Sequence, residues 1–258
     1  MRSLGLIGRS SAVCEVIRSL HIVANTDVVV LLHGERGTGK GLAAMAIHNL
    51  SGRSSKSFSF VNCAALPAGL IESELFGHVR GAFTGAISSR PGLVDMAEEG
   101  TLFLDEIGVL PPDLQSRFLH LIEEREYCPV GGRQTRRLNA QIVVATNQNL
   151  PHAVEEGRFL PDLLDRLNVF PVKIPALRDR REDITPLLRH FFGRESRYDL
   201  WKIAQRRYLT FLESQDWPGN VRQLRNFVVR ISLIGKAALD TERSVRDLYL
   251  IGEYKNWD

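Results

Sequence analysis

Two groups of residues in this sequence have the types and spacing to handle a nucleoside triphosphate. The first is Gly34-Glu35-Arg36-Gly37-Thr38-Gly39-Lys40. A glycine-rich turn points backbone N–H groups inward at phosphate oxygens, and a helix starting where it ends adds positive potential. The ammonium of Lys40 then reaches the outer phosphates as a point charge. Gly41 and Leu42 complete the stretch. Gly41 stands where such a loop commonly carries a Ser or Thr hydroxyl for magnesium, so the ion must lean on carboxylates, water and the nucleotide. The second group is Asp105-Glu106, near the end of the apolar strand expected at Thr101-Leu102-Phe103-Leu104-Asp105-Glu106-Ile107. In a parallel sheet the carboxyl ends of the strands face the ligand crevice. There Asp105 is placed to hold Mg2+ through its water shell and Glu106 to polarise an attacking water.

These residues need a frame, and the sequence around them supplies one. The loop follows the apolar run at 28–32 and precedes a helical pattern at 42–47, the strand-loop-helix order that a phosphate loop requires. Upstream, Val13, Val16, Ile17, Leu20 and Val23 recur at helical spacing, with Ser10 or Ser11 as cap. Downstream come a short alternating strand at 58–63, a helix at 70–76 and a helix at 114–124. The basic stretch at 131–137 reads as a solvated hairpin or loop. A strand at 141–147 ends in Thr146 and Asn147, beside Glu106, where they could orient water or sense the outer phosphate. Leu163, Leu164 and Leu167 mark a short helix before a last strand at 169–174, whose proline suits a sheet edge. Alternating strands and helices predict an α/β fold, a parallel sheet covered on both faces.

From about Pro175 the chain turns helical and Arg-rich. Helices are expected at 183–192, 203–212 and 221–234, the last carrying Arg222, Arg225 and Arg230, with a turn at Trp217-Pro218-Gly219-Asn220. Residues 240–258 should hold a final helix and a frayed end. The expected division is an α/β nucleotide-binding subdomain at 1–175 and an all-helical lid at 176–258.

Gly77-His78-Val79-Arg80-Gly81-Ala82-Phe83-Thr84-Gly85-Ala86 follows neither period. Glycine costs about 0.5–1 kcal/mol of backbone freedom, and an aromatic in such a segment has little to pack on. A projecting loop that presents Phe83 to a partner explains the pattern.

The chain has 258 residues, 44% hydrophobic and 24% charged, with a net charge of +3 that does not by itself argue for nucleic acid. Cys14, Cys63 and Cys128 match neither a zinc spacing nor a disulfide framework and read as reduced thiols. No apolar run approaches the roughly 20 residues of a membrane span, and Met1-Arg2-Ser3-Leu4-Gly5 lacks a signal-peptide core, so the cytoplasm is expected and a membrane partner is not.

With these residues assembled, the chain resembles the AAA+ central domain of bacterial enhancer-binding proteins, the NtrC-like activators of RNA polymerase carrying sigma-54. The similarity covers nearly all of residues 5–236. Its most specific part is Glu74-Leu75-Phe76-Gly77 running into Gly81-Ala82-Phe83-Thr84-Gly85-Ala86. The stretches from Gly100 to Gly108 and from Trp217 to Arg222 also match. The resemblance implies a ring, usually a hexamer, with ATP between neighbours. It implies that Gly34, Glu35, Arg36, Gly37, Thr38, Gly39, Lys40, Gly41 and Leu42 bind the nucleotide, with Arg222 reaching the phosphates from the lid. By the same resemblance Asp105 and Glu106 serve Mg2+ and water, Asn62 is a switch that holds Glu106 off in one state, and Thr146 and Asn147 match sensor I. Gly81, Ala82, Phe83, Thr84, Gly85 and Ala86 would touch sigma-54.

The sequence departs from that pattern at identifiable places. Family members usually offer two arginines six residues apart to the neighbouring site; here the second is Arg166 and the first position is Leu160. Arg158 lies close in sequence. Arg36, Gly41 and Gln223 replace residues usual in the family, and the lid segment between Ile184 and Trp217 is several residues short. Two readings follow. One is a working ATPase that remodels sigma-54 RNA polymerase through its loop. The other is a regulator that binds ATP or a signalling dinucleotide such as cyclic di-GMP with little turnover. The intact Phe83 loop favours the first; an unrelated P-loop enzyme acting on a small molecule fits the motif context poorly. Full-length relatives generally carry a regulatory domain before this module and a DNA-binding helix-turn-helix after it; neither is expected within 1–258, so DNA would be contacted only through a domain outside this chain.

Overall fold

The computed structural model describes residues 5–251, so the frayed end expected after 251 lies outside the described residues. In chain order the elements are α1 (Ser11–Val23), β1 (Val30–His33), α2 (Lys40–Leu50), β2 (Phe58–Asn62), α3 (Ala68–Phe76), α4 (Leu93–Ala97), β3 (Thr101–Asp105), α5 (Pro112–Glu124), β4 (Glu126–Tyr127), β5 (Arg136–Arg137), β6 (Gln141–Thr146), α6 (Leu150–Glu155), α7 (Pro161–Leu167), β7 (Phe170–Lys173), α8 (Ile184–Arg194), α9 (Tyr198–Ser214), α10 (Asn220–Ile234) and α11 (Glu242–Leu250). They sort into two compact units. An α/β unit comprises 18–33 and 40–173; a helical unit comprises, among the described residues, 5–17, 34–39 and 174–251.

The α/β unit is built on five parallel strands in the order β2-β3-β6-β1-β7. Strands that read as continuous apolar runs take the middle of a parallel sheet, where both faces are covered. β6 accordingly buries all six residues, and β3 buries Thr101 to Leu104. β7, with Pro171, is an edge strand as expected. Leu31, Val61, Phe76, Leu102, Leu104, Phe118, Leu121, Val144 and Leu163 belong to one continuous core.

Register decides what meets at the carboxyl edge of this sheet. Asn62 is opposite Asp105, Leu104 is opposite Val144, and His33 is opposite Thr146. β3 stops at Asp105, two residues short of the expected strand, because Glu106 takes a left-handed conformation (φ 57°, ψ 47°) and starts a 3-10 turn at Ile107–Val109. β2 likewise stops at Asn62, whose Oδ1 accepts a hydrogen bond from Ala64 N at 3.0 Å and opens the 3-10 turn Cys63–Ala65. The basic stretch does form a hairpin, with β4 and β5 antiparallel, and Arg136 is anchored on Asp95 at 2.6 Å.

The helical unit packs α8 to α11 around Trp217, which is fully buried. Its Nε1–H donates to Leu212 O at 2.9 Å, and Phe227 and Tyr249 meet the indole edge-on with centroids 5.5 and 5.0 Å away. α9 begins at Tyr198, earlier than the expected 203, because Leu200 and Trp201 also enter this core. The buried carboxylate of Asp183 accepts from Arg9 N, Ser10 N and Ser10 Oγ at 2.5, 2.9 and 2.6 Å. Ser10 Oγ in turn accepts from Val13 N at 3.2 Å, so of the two candidate caps Ser10 opens α1. Among the described residues no helix is long and apolar enough to cross a membrane.

Candidate functional site

The loop 34–39 is shaped by glycines with structural reasons to be glycine. Gly37 (φ 77°) and Gly39 (φ 109°) are left-handed, and a Cβ on Gly37 would collide with the Gly219 carbonyl. Thr38 Oγ1 donates to Glu35 O at 2.8 Å, closing the turn. Residues of the helical unit donate to every loop residue from 35 to 38. Arg178 grips the Glu35 carboxylate with both terminal guanidinium nitrogens, one of them at 2.9 Å, and Asn220 Nδ2 adds a bond to Glu35 Oε2 at 3.1 Å. Asn220 Nδ2 also donates to Arg36 O at 3.0 Å, the N–H of Arg222 to Gly37 O at 3.3 Å, and Arg180 Nη2 to Thr38 O at 3.0 Å. The hydrogen bonds from Arg178 hold the Glu35 carboxyl below its usual range against the opposing effect of burial. The side chain of Arg222 itself is exposed.

In the α/β unit, α2 starts at Lys40, whose side chain is buried. Gly41 is exposed, and the nearest atom to a Cβ placed there would be Phe103 Cε1 at an ordinary 4.0 Å. The missing hydroxyl is therefore not a matter of space.

At the sheet edge Glu106 N donates to Asp105 Oδ1 at 3.0 Å, and Asn147 N donates to Glu106 Oε2 at 3.4 Å. Thr146 is fully buried, its Oγ1 accepting from Gln148 N at 3.0 Å. The thiol of Cys63 is pushed up to about 12 by burial and by the negative charges of Asp105 and Glu106, so it stays neutral beneath the two acids. Strand register brings Asn62, Asp105 and Thr146 to one edge of the sheet, with Glu106 and Asn147 just beyond the ends of β3 and β6. It does not gather Arg166, which pairs from α7 with Glu123 of α5 at 2.7 Å.

The segment around Phe83 is a closed loop. Main-chain bonds join His78 to Arg90 in both directions (3.0 and 2.9 Å), and within them Gly81 N donates to Ala86 O at 2.9 Å. Gly81 (φ 81°) and Gly85 (φ 101°) make the reversals. Phe83 remains 41% exposed, touching only the edge of His78 among the ring contacts described, at 5.0 Å. Thr84 is exposed beside it. The turn at Gly131 packs so closely on Ala82 that a Cβ at Gly131 would lie 2.8 Å from the Ala82 Cβ.

Compared with known protein families, residues 6–173 match the sigma-54 interaction domain and residues 178–248 the AAA+ ATPase lid domain. The chain belongs to the sigma-54 interaction domain family. It is 45% identical over 249 residues to the DNA-binding transcriptional activator HyfR of Escherichia coli, covering 95% of this chain and 37% of that protein. It is 46% identical over 230 residues to the DNA-binding transcriptional regulator NtrC of Rhizobium meliloti, covering 89% of this chain and 48% of that protein. It therefore spans less than half the length of either relative. Among solved structures, NtrX of Brucella abortus in complex with ADP superposes with a TM-score of 0.78 at 33% identity, over 89% of this chain and 51% of that one. The same protein in complex with ATP gives 0.78 at 32% identity, over 92% of this chain and 51% of that one.

Within this sigma-54 interaction domain, Leu160 is not a side chain that merely lacks a charge. It is partly buried against the main core, and its N–H donates at 2.8 Å to Gln115 Oε1, whose Nε2 bonds Leu110 O and Arg158 O at 2.7 and 3.0 Å. Arg158, the nearby cation, is paired with Glu156. Sequence reasoning missed the roles of Arg178, Arg180 and Asn220 in holding the loop. Charge run and turn residues were the only signals there, and neither announces a partner more than 140 positions earlier.

Proposed function

We propose that this chain is the ATP-hydrolysing module of a transcriptional activator that remodels RNA polymerase carrying sigma-54. In this reading residues 1–175 are the nucleotide-binding subdomain and 176–258 the lid. Gly34 to Leu42 and Arg222 bind ATP. Asp105 would hold Mg2+, which when bound would supply positive charge beside the phosphates; a single carboxylate supplemented by water and phosphate suits that ion, and Gly41 would add no side-chain ligand. Glu106 orients the attacking water, with Thr146, Asn147 and Asn62 shaping its surroundings. Subunits form a ring, a hexamer by family habit, in which Arg166 of one subunit serves the next. Leu160 lowers the rate without removing it. The module works in the cytoplasm and leaves DNA contact to a domain outside this chain.

The observation that carries the reading is the exposed Phe83 at the tip of a main-chain-closed loop. A motor that had lost its client would have no reason to keep a half-exposed aromatic on so well-defined a support. Phe83→Ala should leave ATP turnover within about twofold and abolish ATP-dependent capture of sigma-54 in a pull-down; a variant that still captures sigma-54 contradicts it.

A further inference from the structure

Among the described lid residues that hold 35–38, Asn220 reaches two loop residues, Glu35 and Arg36, whereas Arg178, Arg180 and Arg222 reach one each. Asn220 is fully buried. Its Oδ1 accepts from Leu177 N at 2.7 Å, and its Nδ2 reaches both Glu35 Oε2 (3.1 Å) and Arg36 O (3.0 Å). The backbone of Asn220 is left-handed (φ 53°), a conformation asparagine tolerates better than most residues, and its N–H bonds Trp217 O at 2.6 Å. The amide is therefore aimed by the Trp217 core, with both ends spoken for.

We infer that Asn220 is a positioning residue for the phosphate loop, fixing through Glu35, Arg36 and, with Arg178, the Glu35 carboxylate the shape in which the loop meets a triphosphate. The inference rests on the reading of residues 34–40 as the phosphate site. A loop that binds through backbone N–H groups depends on those groups pointing inward before the ligand arrives, so what holds the main chain sets the affinity. Only an amide fits the position. Aspartate has the same shape but no donor, and would set a second carboxylate against Glu35 and the Arg36 carbonyl. A buried polar network with one member reversed is worse than one removed. Arg178 strengthens the same hold from the exposed side of Glu35.

The test is a titration of the full chain with a fluorescent ATP analogue, each variant's nucleotide-free melting temperature measured in parallel. Asn220→Asp should weaken binding at least tenfold. Adding Glu35→Gln exchanges amide and carboxylate across the contact, restores a donor between them, and should recover threefold or more of that loss; a purely structural role for Asn220 predicts no such rescue. Arg178→Met, at a position open to solvent, keeps the fold and should cost threefold or more. If Asn220→Asp binds as the parent does, or the double variant binds no better than the single one, the inference fails; if Asn220→Asp does not fold, unchanged affinity in Arg178→Met overturns it. Lys40→Ala separates the two levels. Parental affinity in Lys40→Ala sinks the phosphate-site reading and this inference with it, whereas loss in Lys40→Ala beside normal binding in Asn220→Asp sinks the inference alone.

Discussion

The main-chain N–H of Asn147 donates to Oε2 of Glu106 at 3.4 Å, tying the end of β6 to the acid that follows β3. This is possible because β3 and β6 are neighbours in register and Glu106 leaves its strand in a left-handed conformation that turns it out of the ladder. A carboxylate held by a backbone donor is oriented without being neutralised.

Glu106→Gln should therefore bind ATP with little change and lower turnover by about 100-fold or more, the range expected when a group that acts on the attacking water is lost. Because the donor is backbone, Asn147→Ala keeps the contact with Glu106 and should reduce turnover less. Single-turnover hydrolysis with pre-bound ATP measures both; unchanged turnover in Glu106→Gln would mean that another group positions the water.

Acid stability should depend on Asp95. Its carboxyl is partly buried, which by itself raises it, but Tyr127 OH, the Gly92 N–H and Arg136 outweigh that and hold it below the usual carboxylate range. A carboxyl depressed in the folded state contributes stability that is present above its unfolded value and lost as pH falls through the folded one. Asp95→Asn should lower the melting temperature at pH 7 by about 2–6 °C, from a loss of ~1–2 kcal/mol, and flatten the acid limb below about pH 4. Equal losses for parent and variant on acidification would remove Asp95 from the account.

Trp217 carries the lid. Trp217→Ala should cost about 3–5 kcal/mol, from an unfilled cavity and an unsatisfied Leu212 carbonyl. Trp217→Phe keeps most of the packing and should cost clearly less. Chemical denaturation of the two variants measures the difference, and equal losses would show that the indole is not the centre of the unit.

Much of this was legible in the residues because it is local. The strand-loop-helix around Lys40, the apolar β3 ending in two acids, the proline of the edge strand and the loop of Phe83 each announce themselves within a dozen positions. What was not legible is what the chain brings together from a distance. Asn220 and Glu35 are 185 positions apart and Asp183 and Ser10 are 173 apart, and no periodicity encodes such pairs. α4 and α6, at five and six residues, are too short to show a helical period. The strand ends at Asn62 and Asp105 were set by a cap and a left-handed residue that alternation does not reveal.

Leu160 bears most directly on the central claim. An arginine finger is worth roughly 10³ to 10⁵ in rate, and at this position the chain keeps a leucine packed on its core. Steady-state ATP turnover should be measured across protein concentration for the parent and for Leu160→Arg. If the domain is an assembling motor, the parent's specific activity rises with concentration as subunits supply Arg166 to one another, and Leu160→Arg raises it further. A parent that binds ATP yet stays silent at every concentration, while Leu160→Arg turns over, would contradict the account and leave a regulator that kept the fold without the engine.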